Sequence, residues 1–321
     1  DGCSGDCTRF ESCGNGFVEC DEVCDAGDSN EAYPAFGGCV ETSCEEGVPA
    51  HCGPDPIDFH PSVAAVIRGS LSLTGDDIFF EDVDEMTALT IEGINVDDLR
   101  GVDCLISLRT LRASSNILGT SPSALDSLQN LKKLQTLELR SNGLSYLGGL
   151  AGLDTVENLD LKSNDIVAID ALAGLTSLKN LYLTTNQITD LAPLTELTLL
   201  RTLELKDNAL VSLVGLSGLT NLERLVLWEN QIDDITELQT LINLTYLDLD
   251  TNQIRAVDAI VPMTSIQTIW INNNKIEDFS PLQDNAGLDN GDGIHTTGNY
   301  NNLDTELSLD EWCSGSGDVL G

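Results

Sequence analysis

An asparagine recurs every 22 residues through the middle of the chain. Each one closes the pattern Leu-x-x-Leu-x-Leu-x-x-Asn, as over Leu178 to Asn186, with Val or Ile replacing Leu in some copies. The in-phase positions are Asn142, Asn164, Asn186, Asn208, Asn230, Asn252 and Asn274. Asn116 belongs to the same series with a four-residue insertion after it, and Ile94 occupies the asparagine position of a first, degenerate copy. A fixed period of this length predicts repeated structural units that stack on one another.

The pattern is that of the leucine-rich repeat. Leucines two residues apart, such as Leu203 and Leu205, point to one side of a short strand and pack on the neighbouring coils. The asparagine turns inward, where its amide can satisfy backbone groups of the buried turn. Because 22 residues leave too little chain for a full outer helix, we expect short 3₁₀ or irregular turns there. The predicted fold class is therefore an α/β leucine-rich-repeat solenoid, with a curved parallel β-sheet on its concave face and a small disulfide-rich module at the amino end.

The segments on either side of the repeats differ from them in composition. Solenoid ends expose leucines and need caps, and Asp58 to Arg68 predicts a short capping helix, followed by a strand and an acidic turn over Gly75 to Val83. The expected organisation is a disulfide-rich module over 1–54, a helical cap over 55–86, repeats over 87–283, and a carboxyl-terminal cap and tail over 284–321.

The order of helix, strand and acidic turn resembles the amino-terminal cap of bacterial internalins. The prolines in Leu191 to Leu194 and Phe279 to Leu282, and the closing coil through Asn299, also resemble that family. The resemblance covers residues 55–300 and departs in lacking the immunoglobulin-like domain that usually follows. It implies a secreted or surface-displayed bacterial protein.

Eight of the ten cysteines fall in the first 52 residues: Cys3, Cys7, Cys13, Cys20, Cys24, Cys39, Cys44 and Cys52. This segment has almost no aliphatic run and cannot build an ordinary core, so covalent bridges must replace one. We expect four disulfides among them and hence an oxidising compartment, with zinc as the alternative. Cys104 is expected to attach the module to the solenoid or to stay free, and Cys313 to be intermolecular or paired within the tail.

The stretch from Cys13 to Cys44, which opens Cys-Gly-Asn-Gly, resembles the myxobacterial-type cysteine-rich repeat. It departs in having Cys20 where a proline is usual. The resemblance again implies secretion or surface display in bacteria. Four of its residues are weak calcium candidates, with solvated acidic turns as the alternative: Asp21, Asp25, Asp28 and Asn30. No other cofactor is expected.

The chain is strongly acidic, with 53 acidic against 15 basic residues and a formal net charge of −38. A nucleic-acid backbone or an anionic membrane would be repelled almost everywhere. No apolar run approaches the roughly 20 residues that span a bilayer. We therefore expect neither a nucleic-acid partner nor direct membrane insertion.

The strand alternation predicts three columns of side chains on the concave face. The central column, between the two strand leucines, holds Arg112, Glu138, Asp160, Tyr182, Glu204, Val226, Asp248, Trp270 and His295. The trailing column, just after the second leucine, holds Ser114, Arg140, Lys162, Thr184, Lys206, Trp228, Asp250 and Asn272. The leading column, just before the first leucine, adds Arg224 and Tyr246.

Two zones of these columns are candidate ligand contacts. The first is aromatic and apolar, with Trp228, Tyr246, Trp270 and Val226 expected as near neighbours, and with Tyr182 and His295 close by. Such side chains are typical of binding hot spots, although rings that merely stack across strands would stabilise the sheet instead.

The second zone is charged. It is expected to pair Glu138 with Arg140, Asp160 with Lys162, and Glu204 with Lys206. These pairs either neutralise one another or select a charged partner. Five of the fifteen basic residues lie on the face: Arg112, Arg140, Lys162, Lys206 and Arg224. They make an anionic protein or an acidic glycan a conceivable ligand.

No constellation of catalytic residues is identifiable from spacing, so we expect no enzyme. The segment Asp289 to Gly293 lacks the later glutamate of a calcium loop and is expected to form a cap turn. The predicted function is recognition or adhesion at the cell surface or outside the cell, by binding a protein, or less favourably a glycan, through the concave face. The alternative is a self-assembling structural subunit of an extracellular filament or surface layer.

Overall fold

Within the part of the chain that the structure describes, ten short strands form one parallel sheet in chain order. The computed structural model describes residues 48–288 and 293–299. The strands are β1 Ala88–Thr90, β2 Thr110–Arg112, β3 Thr136–Glu138, β4 Asn158–Asp160, β5 Asn180–Tyr182, β6 Thr202–Glu204, β7 Arg224–Val226, β8 Tyr246–Asp248, β9 Thr268–Trp270 and β10 Gly293–His295. Each strand pairs with the next along the chain, so every repeat contributes one strand. The predicted solenoid is confirmed.

The outer side of the coils consists of short 3₁₀ helices, as the 22-residue period predicts. They are Val102–Cys104, Leu118–Thr120, Asp126–Asn130, Gly148–Leu150, Asp170–Leu172, Ala192–Leu194, Thr236–Thr240, Asp258–Ile260 and Ser280–Asp284. The coil after β6 has a turn at Gly215 instead, with a φ of 110°. A Cβ there would lie 2.4 Å from the Leu191 carbonyl oxygen, so glycine allows the coils to approach.

The repeated asparagines join successive coils. In Asn252, Nδ2 donates to the Leu227 and Leu249 carbonyl oxygens at 3.0 Å each, and Oδ1 accepts from the Ile232 backbone N–H at 3.1 Å. The residue before each asparagine has a left-handed backbone with φ between 53° and 60°, which turns the asparagine inward. These residues are Ser115, Ser141, Ser163, Thr185, Asp207, Glu229, Thr251 and Asn273.

The insertion after Asn116 interrupts this ladder at one atom. Asn142 donates to the Ala113 and Leu139 carbonyl oxygens at 3.0 and 2.9 Å, as its counterparts do. Its Oδ1 is buried and accepts no hydrogen bond in the described part of the chain. In the repeat of Asn252 the donor is the backbone N–H of Ile232, two residues after the preceding asparagine. The equivalent position before Asn142 is Leu118, where the 3₁₀ helix Leu118–Thr120 begins.

Helical segments cover the amino-terminal end. Helix α1, Pro61–Leu71, is capped by His60, whose Nδ1 accepts from the Ser62 N–H at 3.2 Å. The strand expected over residues 75–83 is wrong, because Phe80–Val83 forms a one-turn helix, α2. The Asp82 carboxylate accepts from the Phe79 N–H at 2.8 Å and so starts the helical turn. None of the helices among residues 48–288 and 293–299 is long and apolar enough to cross a membrane.

A disulfide joins the chain before the cap to the first coils. Cys52 and Cys104 are bonded, with Cα atoms 5.5 Å apart and both side chains buried. This corrects the expectation of four disulfides confined to the first 52 residues, and confirms that Cys104 attaches the preceding segment to the solenoid. Sequence spacing could not give this pair, because the cap returns Cys52 to the first coils across 52 residues of sequence. The bond also removes both thiols from any zinc site with His51.

Several predicted sites lie outside the described residues. They are the remaining cysteines Cys3, Cys7, Cys13, Cys20, Cys24, Cys39, Cys44 and Cys313, the calcium candidates Asp21, Asp25, Asp28 and Asn30, and residues 289–292 of the expected cap turn.

Candidate binding surface

The strand register places the predicted columns on one face of the sheet. Arg112 is level with Glu138, Asp160 with Tyr182, and so on through Trp270 and His295. Neighbouring strands lie about 4.8 Å apart, so successive side chains of a column can touch. The central-column and leading-column candidates lie in these paired strands, and each trailing-column candidate follows its strand by two residues.

Ion pairs run across the strands in the amino-terminal half of the face. Arg112 Nε lies 3.0 Å from Glu138 Oε1 on the next strand. Arg140 Nε lies 2.9 Å from Asp160 Oδ2, and its Nη2 lies 3.7 Å from Glu138 Oε2. The predicted Glu138 and Arg140 pair therefore exists, but the shorter contact of Arg140 is the lateral one.

The other two predicted pairs are wrong. Lys162 Nζ bonds Glu204 Oε2 at 2.8 Å, two strands away, and Lys206 Nζ lies 3.5 Å from Glu229 Oε2. Side chains two residues apart on a strand are separated by about 6.6 Å, which exceeds the spacing between strands. Asp160 instead accepts from the backbone N–H of Lys162 at 3.1 Å. Burial raises its pKa, and that hydrogen bond and the adjacent Arg140 oppose the shift.

Each large ring of the face is covered by a neighbouring polar side chain. Lys162 Nζ lies 4.4 Å from the Tyr182 ring centroid, and Lys206 Nζ lies 3.6 Å from that of Trp228. Arg224 Cζ lies 3.9 Å from the Tyr246 centroid and Arg224 Nε lies 3.4 Å from Glu204 Oε1. These are cation–π contacts, which hold both partners in place.

The expected aromatic cluster is divided. Trp228 lies in the trailing column and Tyr246 in the leading column, while Asp248 separates Val226 from Trp270 in the central column. The stacked pair among the described rings is Trp270 with His295, with centroids 3.5 Å apart and planes at 10°. Trp228 stays 36% exposed, whereas Val226 is buried and presents little surface.

Two aspartates occupy the space between the tryptophans. Asp248 is 8% exposed, and one of its oxygens accepts from the Asp250 N–H at 3.1 Å. Asp250 accepts from Asn272, at 2.7 Å from its backbone N–H and at 3.1 and 3.0 Å from Nδ2. No basic side chain of the described residues forms an ion pair with either aspartate. Sequence reasoning placed both in their columns but did not single them out.

Burial raises the pKa of Asp248 to about 6. The hydrogen bond from Asp250 lowers this pKa, and the negative charge of Asp250 raises it. Arg224 and Lys206 lower it from a distance. His295 lies beyond Trp270 on β10. The central carboxylate of this zone is thus held in a poorly solvated place without a direct cation.

Comparison with known proteins agrees with the geometry. The family described as "Leucine Rich repeats (2 copies)" matches residues 154–196, 198–240 and 242–284. The chain carries leucine-rich repeats. No curated protein matches the sequence.

Solved structures of other leucine-rich-repeat proteins are similar. Internalin C2 from Listeria monocytogenes is 28% identical, with a TM-score of 0.58 over 73% of this chain and 96% of that one. A leucine-rich-repeat protein of Leptospira interrogans is 24% identical, with a TM-score of 0.63 over 68% of this chain and 57% of its own, and shows the fold alone. The internalin-like fold is therefore supported, and the myxobacterial-type repeat stays a prediction.

Proposed function

We propose that this protein is a non-catalytic recognition protein, secreted or displayed on a bacterial surface, that binds another protein through the concave face. The observation that carries the proposal is the set of large rings on the open sheet, above all Trp228 at 36% exposure. Tryptophan and tyrosine are the residues most enriched in binding hot spots, and each can contribute about 2 kcal/mol or more.

The rings are held before any ligand arrives. Lys206 covers Trp228, Arg224 covers Tyr246, and His295 stacks on Trp270. A parallel sheet with one strand per coil adds rigidity of its own. Because little side-chain freedom remains to be lost, binding pays a smaller entropic cost. This favours a preformed platform over a surface that folds around its ligand.

Two observations support an extracellular location. The buried Cys52 to Cys104 disulfide fits an oxidising compartment, and the fold is similar to that of internalin C2. The proposal includes a disulfide-rich module over residues 1–54, a cap over 55–86, repeats over 87–283 and a closing segment over 284–321. A protein ligand is favoured over a glycan. The large rings lie apart from one another with salt bridges between them, and aromatic anchors surrounded by polar groups are typical of protein–protein interfaces.

The test is affinity capture from a mixture of secreted and cell-surface proteins, followed by affinity measurement with the purified partner. The Trp228→Ala/Trp270→Ala variant should lose at least about tenfold in affinity. The matched control is Leu199→Ala/Ile242→Ala, which removes two exposed apolar side chains outside the sheet and should bind like the native protein. Both variants must keep the native circular dichroism. Retained binding by the tryptophan variant would contradict the proposal.

A further inference from the structure

The basic residues of the concave face are already neutralised. Every one of the five has a carboxylate oxygen within 3.5 Å. They are Arg112, Arg140, Lys162, Lys206 and Arg224. An anionic ligand would have to displace these carboxylates, so the geometry does not favour the acidic protein or acidic glycan that the count of basic residues suggests.

The carboxylates of the same face are not all neutralised. Glu138, Asp160 and Glu204 form ion pairs, whereas Asp248 and Asp250 form none within the described residues. Asp248 is more than nine-tenths buried, and only one of its oxygens accepts a hydrogen bond there. A buried carboxylate that has lost its hydration and has no cation beside it destabilises the fold. Its raised pKa reports the same imbalance.

Two tryptophans flank the two aspartates on the neighbouring strands. Trp270 is level with Asp248 on one side, and Trp228 is two residues beyond Val226 on the other. A guanidinium can contact both kinds of group at once, because its N–H fork donates to carboxylates and its planar face stacks on indole rings. An ammonium can also lie over a ring, as Lys206 does over Trp228. It is a compact, strongly hydrated point charge, however, and lacks the planar fork that pairs with two carboxylate oxygens while its face stacks on an indole ring.

We infer that the partner inserts an arginine side chain, carried by a basic protein segment, against Asp248 and Asp250 between Trp228 and Trp270. This inference rests on the proposed function and specifies the chemistry of its partner. The insertion would give the buried carboxylate its cation and would cover the exposed tryptophan. The net charge of −38 would draw a basic partner toward the protein over a longer range.

A pair of labelled peptides tests the inference directly. The probe is a fluorescein-labelled peptide of three Arg-Gly units, and its counterpart replaces each arginine by neutral citrulline. Fluorescence anisotropy is measured near physiological ionic strength, where long-range attraction is screened. The native protein should bind the arginine peptide at least about tenfold more tightly than the citrulline peptide.

Two isosteric variants separate the site from the general charge. Asp248→Asn/Asp250→Asn should weaken binding of the arginine peptide by about tenfold. Asp233→Asn/Glu277→Gln removes the same number of charges from exposed positions outside the columns, and should change affinity by less than about twofold. A third labelled peptide, of three Lys-Gly units, should bind the native protein more weakly than the arginine peptide. Equal losses in both variants, or a lysine peptide bound as tightly as the arginine peptide, would overturn the inference.

The partner found by affinity capture separates failure of the inference from failure of the function. If the tryptophan variant loses that partner and Asp248→Asn/Asp250→Asn retains it, concave-face recognition stands and the arginine contact is wrong. If both variants retain it, both proposals are wrong. If both lose it and the Asp233→Asn/Glu277→Gln control does not, both are supported.

Discussion

The asparagine ladder offers a matched pair of substitutions, Asn252→Ala and Asn142→Ala. Both residues are buried, and both donate hydrogen bonds of 2.9–3.0 Å to two carbonyl oxygens that directly follow strands. They differ in one respect. Asn252 Oδ1 accepts from the Ile232 N–H, whereas Asn142 Oδ1 accepts nothing in the described part of the chain.

The magnitudes follow from what each substitution leaves unpaired. The Leu227 oxygen also accepts from Asn230, and the Leu249 oxygen also accepts from Asn274, so losing Asn252 orphans neither carbonyl. Each lost shared bond is worth about 0.5–1 kcal/mol, and the orphaned Ile232 N–H adds about 1–3 kcal/mol. We expect Asn252→Ala to lower the free energy of unfolding by about 3 kcal/mol. Asn142→Ala should lower it by about 1 kcal/mol, because it orphans no donor and removes an unpaired oxygen.

Urea denaturation followed by circular dichroism measures both changes on one protein. The cavity and the lost donated bonds are the same in the two variants, so their difference of about 2 kcal/mol isolates the accepted bond. Equal destabilisation would refute the reasoning, since the interruption of the ladder at Asn142 would then have no energetic consequence.

Three further perturbations follow from the same structure. Asp248→Asn should raise the free energy of unfolding at pH 7, measured by urea denaturation, by up to about 3 kcal/mol. The pKa of Asp248 is raised from 3.8 to about 6, so its ionised form destabilises the fold above pH 6, and the native protein regains that stability as pH falls toward 3.8. The advantage should vanish near pH 4, and a constant difference from pH 4 to 7 would contradict the buried charge. Thr251→Asn should raise the free energy of unfolding by about 0.5–1 kcal/mol, and with it the melting temperature, because Thr251 has a φ of 53° that asparagine adopts more readily. A lower melting temperature would argue against strain there. Cys52→Ser/Cys104→Ser should cost roughly 2–4 kcal/mol by calorimetry, since the bond closes a long loop, and unchanged melting would show that the cap is held by packing alone.

The strand positions were predictable because they depend on a period-two pattern inside a 22-residue repeat. Counting from leucines such as Leu203 and Leu205 places every concave column. The ion pairs were not predictable in the same way. Lys162 reaches Glu204 across the Tyr182 ring, and this depends on the rotamers of three side chains on three strands.

The elements that sequence reasoning missed depend on contacts distant in the chain or on one side chain. Residues 78–80 are an apolar run that favours a strand, but the Asp82 carboxylate caps a helical turn there. The Cys52 to Cys104 bond depends on how the cap returns to the first coils. The significance of Asp248 lies in its burial, which the neighbouring strands impose and its own position in the repeat does not reveal.

The location of the partner is the most direct test of concave-face recognition. A photoreactive benzoylphenylalanine placed at Thr268, in the leading column beside Tyr246, is compared with one placed at Leu199, which is exposed outside the sheet. With the captured partner bound, we expect a cross-link from position 268 and none from position 199. A cross-link from position 199 alone would contradict concave-face binding.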